Sequence, residues 1–201
     1  VKGILMKPWK AQAIHESSPE TEWQIRRIIK EQKLWWVDVQ PHPNGGWVAA
    51  DFNISEANYR PTGIGFKCPY TIGEHVYIKE TWAVAPMAIH YKSDNSFMGV
   101  EKHLIEPLYG ITGWRSPLHM PAWAARTIIE IPDIRAQRVQ EISEEDAIAE
   151  GCPQYVIDGK GDWDMVNRIK IWFYSLWNSI YPGSWERNDF CWVYSLRRIE
   201  R

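Results

Sequence analysis

The chain has 201 residues, with 23 Lys+Arg against 25 Asp+Glu and a formal net charge of −2. That balance excludes a binder working by bulk positive charge and leaves room for a local basic groove. With 45% hydrophobic residues a packed core is expected and global disorder is not, and no apolar run approaches the roughly 18 residues of a membrane span.

Residues 3–6 are a short apolar run and predict a first strand. Pro8 follows where a helix begins, and Ala11 to His15 continue it until Ser17-Ser18-Pro19. β-Branched Ile25, Ile28 and Ile29 predict a strand over 24–30. Residues 34–39 and 47–52 flank Pro41-His42-Pro43-Asn44-Gly45-Gly46, a hairpin signal with Asn-Gly at the turn. Residues 60–70, with Pro61, Gly63, Gly65 and Pro69, read as loop.

Over 74–81, His75, Tyr77 and Lys79 alternate with Val76, Ile78 and Glu80, the period of a strand. Residues 83–121 read as an excursion with a small hairpin at 88–91 and 97–100. A long strand is predicted over 124–131 and 134–139, interrupted at Pro132-Asp133. Ser143 caps a helix with Glu144, Glu145 and Asp146 in its first turn and Gly151 as its stop. Asp162 is the predicted cap of a longer helix whose stripe is Met165, Ile169, Trp172, Phe173, Leu176 and Ile180. Residues 190–199 form the last strand. The order predicts an α+β domain around a mostly antiparallel sheet curled into a barrel.

The three cysteines, Cys68, Cys152 and Cys191, are odd in number and far apart. They argue against a disulfide framework and fit a reducing, cytoplasmic setting. The apolar stretch at 3–6 is too short for a signal-peptide core. No HxH, HExxH, Walker loop, GxGxxG or GxSxG occurs, so neither metal nor cofactor is expected. The 13 tryptophans are abnormal for this length. Most are expected to pack the core, and about two or three to line a site.

Several residues carry chemistry. Lys7-Pro8-Trp9 makes a strand-to-helix corner, where a helix N-terminus attracts an anion and Trp9 offers a stacking face; the alternative for Trp9 is the core. Arg26 and Arg27 are consecutive strand residues, so only one faces a given cleft. Lys79 and Glu80 likewise point oppositely. Glu80 can accept from an exocyclic base amine, or it pairs with Arg26 or Arg27. Trp82 is a second stacking candidate. His119 and Arg126 lie close together before a strand; His119 is a candidate acid–base group or nucleobase contact, and Arg126 a candidate ligand contact. Glu150 ends its helix, where the dipole disfavours a negative charge, whereas the first-turn acids serve that dipole.

Five stretches together carry a family resemblance. They are Ile4-Leu5-Met6-Lys7-Pro8-Trp9-Lys10-Ala11-Gln12-Ala13-Ile14, Arg26-Arg27, Gly73-Glu74-His75-Val76-Tyr77-Ile78-Lys79-Glu80-Thr81-Trp82, residues 142–151, and residues 190–199. In order and spacing they resemble the ASCH domain, a relative of the PUA-like barrels. They are similar in particular to the longer ASCH-like proteins of phages and prophages. The resemblance runs from Lys2 to about Glu200 and implies one domain over 1–201, with insertions near 38–66 and 83–118.

The resemblance implies a β-barrel with a short N-terminal helix, two later helices and a cleft beside the first helix. It also implies nucleic-acid or nucleoside ligands. Some small bacterial members are amidohydrolases that deacetylate N4-acetylcytidine, using a Gly-x-Lys-Thr-x-Thr-x-Arg motif and a glutamate on a later helix. With Arg27 at the motif's arginine, Glu22 stands at the lysine, Trp23 at the first threonine and Ile25 at the second. Glu150 matches the glutamate.

The leading expectation is a binder of single-stranded nucleic acid or a modified nucleoside, with a small or flipped-base footprint. Its ligand-binding residues are Lys7, Trp9, Arg26, Arg27, Glu80, Trp82, His119 and Arg126. The second is an amidohydrolase with Glu150 or Glu80 as general base and Lys79 or an arginine at the oxyanion; the Glu150 route requires Glu150 and Lys79 in one cleft. The third is a protein-interaction module or homodimer using the aromatic insertions. No membrane partner is expected.

Overall fold

The computed structural model describes residues 1–30, 38–41, 46–53, 58–108, 113–159 and 167–200, and for 50–53, 58–66, 102 and 106 the backbone alone. The chain is α+β. In order it runs through β1 (Lys2–Leu5), α1 (Pro8–Glu16), β2 (Glu22–Ile28), β3 (Asp38–Pro41), β4 (Trp47–Asn53), β5 (Asn58–Phe66) and β6 (Glu74–Lys79). It continues with β7 (Trp82–Ala85), β8 (Ala88–Tyr91), β9 (Phe97–Gly99), α2 (Lys102–Ile105), β10 (Ile128–Arg138), α3 (Glu144–Ala149), α4 (Gln154–Ile157), α5 (Arg168–Ile180) and β11 (Phe190–Ile199). The strands form three sheets, ordered β1-β6-β10-β11-β2, β3-β4-β5 and β7-β8-β9. Two compact units divide the chain, one of residues 1–22, 73–132 and 196–201, the other of 23–72 and 133–195.

In the first unit, β6 is the central strand. β1 pairs with it in parallel, with Gly3 opposite Tyr77 and Leu5 opposite Lys79. β10 pairs on its other side, antiparallel, with Ile128 opposite Tyr77. Space at Gly3 is tight. A Cβ on it would press on Lys79 Cε and stand 2.7 Å from the Tyr77 ring.

The core of this unit gathers Tyr77, Trp82, Ile89, Tyr91, Ile105, Met120, Ala124 and Ala125. Its tyrosines bury their rings and satisfy their hydroxyls. Tyr77 donates to the Met120 carbonyl at 3.0 Å and Tyr91 to the Ala124 carbonyl at 2.7 Å. The predicted hairpin at 88–91 and 97–100 is present as β8 and β9.

In the second unit, Ser143 caps α3 as expected, its Oγ accepting from the Asp146 N–H at 3.1 Å. Ile169, Phe173 and Trp177, four apart on α5, pack on Val139, Ile142, Ala147, Cys152, Val156, Cys191 and Val193. All three cysteines are buried and none forms a disulfide.

Three sequence expectations change. Residues 60–70 are not loop, since β5 (Asn58–Phe66) pairs antiparallel with β4. β5 is an edge strand, where proline is tolerated, and Pro61 stands opposite Ala50 beside a register shift in β4. Pro132-Asp133 does not interrupt β10. The β6 ladder ends at Ile131 opposite Glu74, so the missing Pro132 N–H breaks no bond to it. α4 was not foreseen. The Asn44-Gly45 turn and the Asp162 cap lie outside the described residues. Among the described residues, no helix is long and apolar enough to cross a membrane.

Candidate functional site

β6 ends at Lys79, and the next residues, Glu80 and Thr81, lead into β7. These three residues line a cavity of about 330 Å³. That is at the lower end of the range for small-molecule sites. Met6, Pro8 and Ala11, from the β1–α1 corner, supply an apolar wall, and Pro117 adds to it. The turn between β8 and β9 supplies Lys92 and Ser93. Every one of these residues belongs to the first unit.

Glu80 is buried by design of its surroundings. Its Oε2 accepts from Arg126 Nε at 2.9 Å, and its Oε1 accepts from Arg126 Nη2 at 2.7 Å and from Ser93 Oγ at 2.9 Å. Arg126 Nη1 donates to Asp94 Oδ2 at 2.6 Å and to Ser96 Oγ at 2.5 Å, and Nη2 also donates to Ser93 Oγ at 2.9 Å. All five guanidinium N–H donors are thereby used. The guanidinium also lies 4.3 Å above the centre of the Tyr91 ring. Burial acts to raise the Asp94 carboxyl, but the hydrogen bonds from Arg126 and Ser96 outweigh it and hold the group at about 2.

The cations at the cavity are less constrained. Lys79 Nζ donates to the Leu118 carbonyl at 3.2 Å and sits 5.8 Å above the Tyr77 ring centre. Lys92 is exposed. Trp9, next to Pro8, is 41% exposed. Nearby in sequence to Arg126, Thr127 Oγ1 lies 2.9 Å from His15 Nδ1. Burial, and then the Arg126 charge, push the His15 pKa down.

The structure revises several predicted roles. Trp82 offers no stacking face, because it is 1% exposed within the core, with Arg115 4.8 Å over its ring and Trp123 edge-on to it. Arg126 is not a free ligand contact, since its donors are saturated by its own chain. Glu80 pairs with neither Arg26 nor Arg27 but with Arg126. Lys7 is exposed and its carbonyl accepts from the N–H groups of Lys10 and Ala11, both at 3.0 Å, as the N-cap of α1. His119 is exposed in a 3-10 turn, Pro117–His119. Neither Lys7 nor His119 lines the cavity.

Arg26 and Glu150 lie in the second unit. Arg26 Nη1 donates to Glu150 Oε1 at 3.3 Å and Nη2 to Asp146 Oδ2 at 2.6 Å, with the Arg26 side chain 1% exposed. Asp146 also accepts from Arg135 Nη2 at 2.7 Å, so it anchors a buried ion network beyond serving the helix dipole. Burial works against the Asp146 carboxylate, and Arg26, Gln24 and Arg135 overcome it and lower its pKa. Arg27 is half-buried, its Nη1 donating to the Arg26 carbonyl at 3.5 Å. The cavity lining includes Lys79 and not Glu150.

Comparison with protein-family models, with curated proteins and with solved structures found no match. The chemistry of the cavity therefore carries the functional reading. It combines two ammonium groups, an apolar wall, a carboxylate and the Thr81 hydroxyl. Among the described residues, no group of three or more His, Cys, Asp or Glu side chains is placed to hold a metal ion. Sequence reasoning missed Thr81, Lys92, Ser93, Asp94 and Ser96. The signal for the last three was the turn composition of Ser93-Asp94-Asn95-Ser96 between two strands.

Proposed function

We propose that the first unit binds a single nucleotide, free or as part of a short single strand, in the cavity beside the start of α1. The observation that carries this reading is the pairing of Lys79 and Lys92 with an apolar wall in one cavity of about 330 Å³. The ammonium groups suit a phosphate, and the wall of Met6, Pro8, Ala11 and Pro117 suits the face of a base. The exposed Trp9 ring adds a stacking platform for a neighbouring base. The resemblance to ASCH domains supports the same ligand class, and the PUA-like barrel it implies is part of this proposal.

A two-lysine site predicts a small electrostatic contribution. Each phosphate neutralised on a single strand contributes a slope of about −0.7 in log affinity against log salt. Titration of a fluorescent tetranucleotide at increasing salt is expected to give a slope of about −0.7 if both lysines take one phosphate, and no steeper than about −1.4 if each takes its own. A slope several times steeper means that many phosphates are contacted, and overturns a one-nucleotide site. Absence of binding overturns the reading itself.

A further inference from the structure

The Glu80 carboxylate is an unusual cavity lining, because a buried acid next to two lysines would be expected to pair with one of them. It does not. Arg126 holds both of its oxygens, and Ser93 donates to one of them. Each oxygen faces at least one donor in this arrangement, so Glu80 is used as an acceptor. A carboxylate has about four acceptor positions, and three are filled here, two on Oε1 and one on Oε2. One acceptor position remains, on Oε2. The next residue, Thr81, lines the same cavity, and its hydroxyl makes no hydrogen bond among the described residues.

We propose that Glu80 reads the base: fixed as an acceptor in the cavity wall, it selects nucleotides whose base presents an exocyclic amino group. The inference rests on the nucleotide reading of the cavity and adds the base class. Cytosine offers an amino donor beside the N3 acceptor. Glu80 Oε2 accepts from the amino group, and the Thr81 hydroxyl donates to N3. Adenine offers the same donor–acceptor pair at its N6 and N1. Uracil presents a carbonyl oxygen where cytosine has the amine. That oxygen would face a carboxylate oxygen held in place as an acceptor by Arg126, which is repulsive.

The rigidity of Glu80 is what makes the selection sharp. A free glutamate could rotate away from a carbonyl. Here the fork of Arg126 fixes the carboxylate plane, and Asp94, Ser93 and Ser96 fix Arg126 in turn. Arg126 is thus a positioning residue, and Glu80 is the residue that touches the ligand.

The test is calorimetric titration of the full chain with three probes: cytidine monophosphate, uridine monophosphate, and the monophosphate of pyrimidin-2-one riboside. The last carries hydrogen in place of the amino group. Cytidine monophosphate is expected to bind about tenfold tighter than either of the others, the discrimination of one good base contact. Equal affinity for all three overturns the role of Glu80 and leaves the nucleotide site standing. No binding by any of them overturns the nucleotide reading, and this inference with it.

In Glu80→Gln the side-chain amide can donate, so the uridine probe is expected to gain relative to the cytidine probe; an unchanged preference in the folded variant overturns the proposal. Should that variant fail to fold, the probe series on the unaltered protein decides alone. Lys92→Ala is expected to weaken all three probes by the same factor, and a change in their ranking would overturn the assignment of base selection to Glu80.

Discussion

Arg126 grips Glu80 through two parallel hydrogen bonds, Nε to Oε2 at 2.9 Å and Nη2 to Oε1 at 2.7 Å, with both side chains at 5% exposure or less. Removing one member strands a buried charge. Arg126→Met leaves both Glu80 and Asp94 unpaired and is expected to cost about 3–5 kcal/mol in urea denaturation. The double variant Glu80→Met/Arg126→Met removes the more deeply buried of the two stranded carboxylates and leaves Asp94. It is expected to cost less than the sum of the two single changes. Strict additivity would show that the pair is not coupled.

Asp94 gives this cluster an acid limit. Its folded pKa is held at about 2, below the ordinary 3.8. A depressed carboxylate contributes stability that is present above the unfolded value and lost as pH falls toward the folded one. Urea midpoints are therefore expected to decline from roughly pH 5 downward, more steeply in the native chain than in Asp94→Asn. Parallel declines in the two proteins would remove Asp94 from the acid response.

His15 acts in a different pH window. Burial, and next the positive field of Arg126, lower its pKa from 6.5, while Glu80 and Asp94 oppose and Arg198 assists. The fold prefers the neutral ring, so the unfolded chain binds the proton more readily. Stability is then level above the unfolded value and falls as pH drops below it. His15→Asn keeps a polar atom near Thr127 and cannot titrate. Its melting temperature is expected to stay flatter than that of the native protein between about pH 7 and 5. A native curve as flat as the variant's would show that folding leaves the His15 pKa unchanged.

The parts of this structure written in local pattern were legible in the sequence. Pro8 opens α1, Ser143 caps α3, and the alternation around Tyr77 makes β6, because each depends on residues within one turn or one strand. β5 was hidden by Pro61, Gly63 and Gly65, which mark a loop unless the strand lies at an edge. The site was legible as residue types and not as partners. Glu80 and Arg126 stand 46 apart in sequence, so nothing local says that one will saturate the other. Trp82 was misread for the same reason. Its position next to a charged pair suggested a surface, and the core that covers it comes from Tyr91, Ile105 and Met120, all distant in the chain.

The thiols make a simpler case. Burial pushes Cys152 up to about 11 and Cys191 up to about 12, so neither is a thiolate near neutrality. An aromatic disulfide reagent is expected to label none of the three cysteines in the native protein within minutes, and all three in denaturant. Rapid native labelling of one would show that its cover opens readily.

Gly3 links the fold to the site. It faces Tyr77 across the parallel β1–β6 ladder, and a methyl group there would meet Lys79 Cε and the Tyr77 ring at under 3 Å. Lys79 can swing away, because its long stem is flexible. Tyr77 cannot move as easily, since its hydroxyl is tied to the Met120 carbonyl. Gly3→Ala should therefore displace the Lys79 ammonium and press on the core. The expected cost is about 1–3 kcal/mol of stability, the usual penalty of overpacking. Because Lys79 lines the cavity, nucleotide affinity is expected to fall as well, and by more than the Lys92→Ala change produces if the displaced ammonium blocks the cavity mouth. Crystals of the variant would show whether the shift falls on Lys79 or on β1. A stable Gly3→Ala protein with unaltered affinity would mean that β1 itself moves away, and that the close approach at Gly3 is not what fixes Lys79.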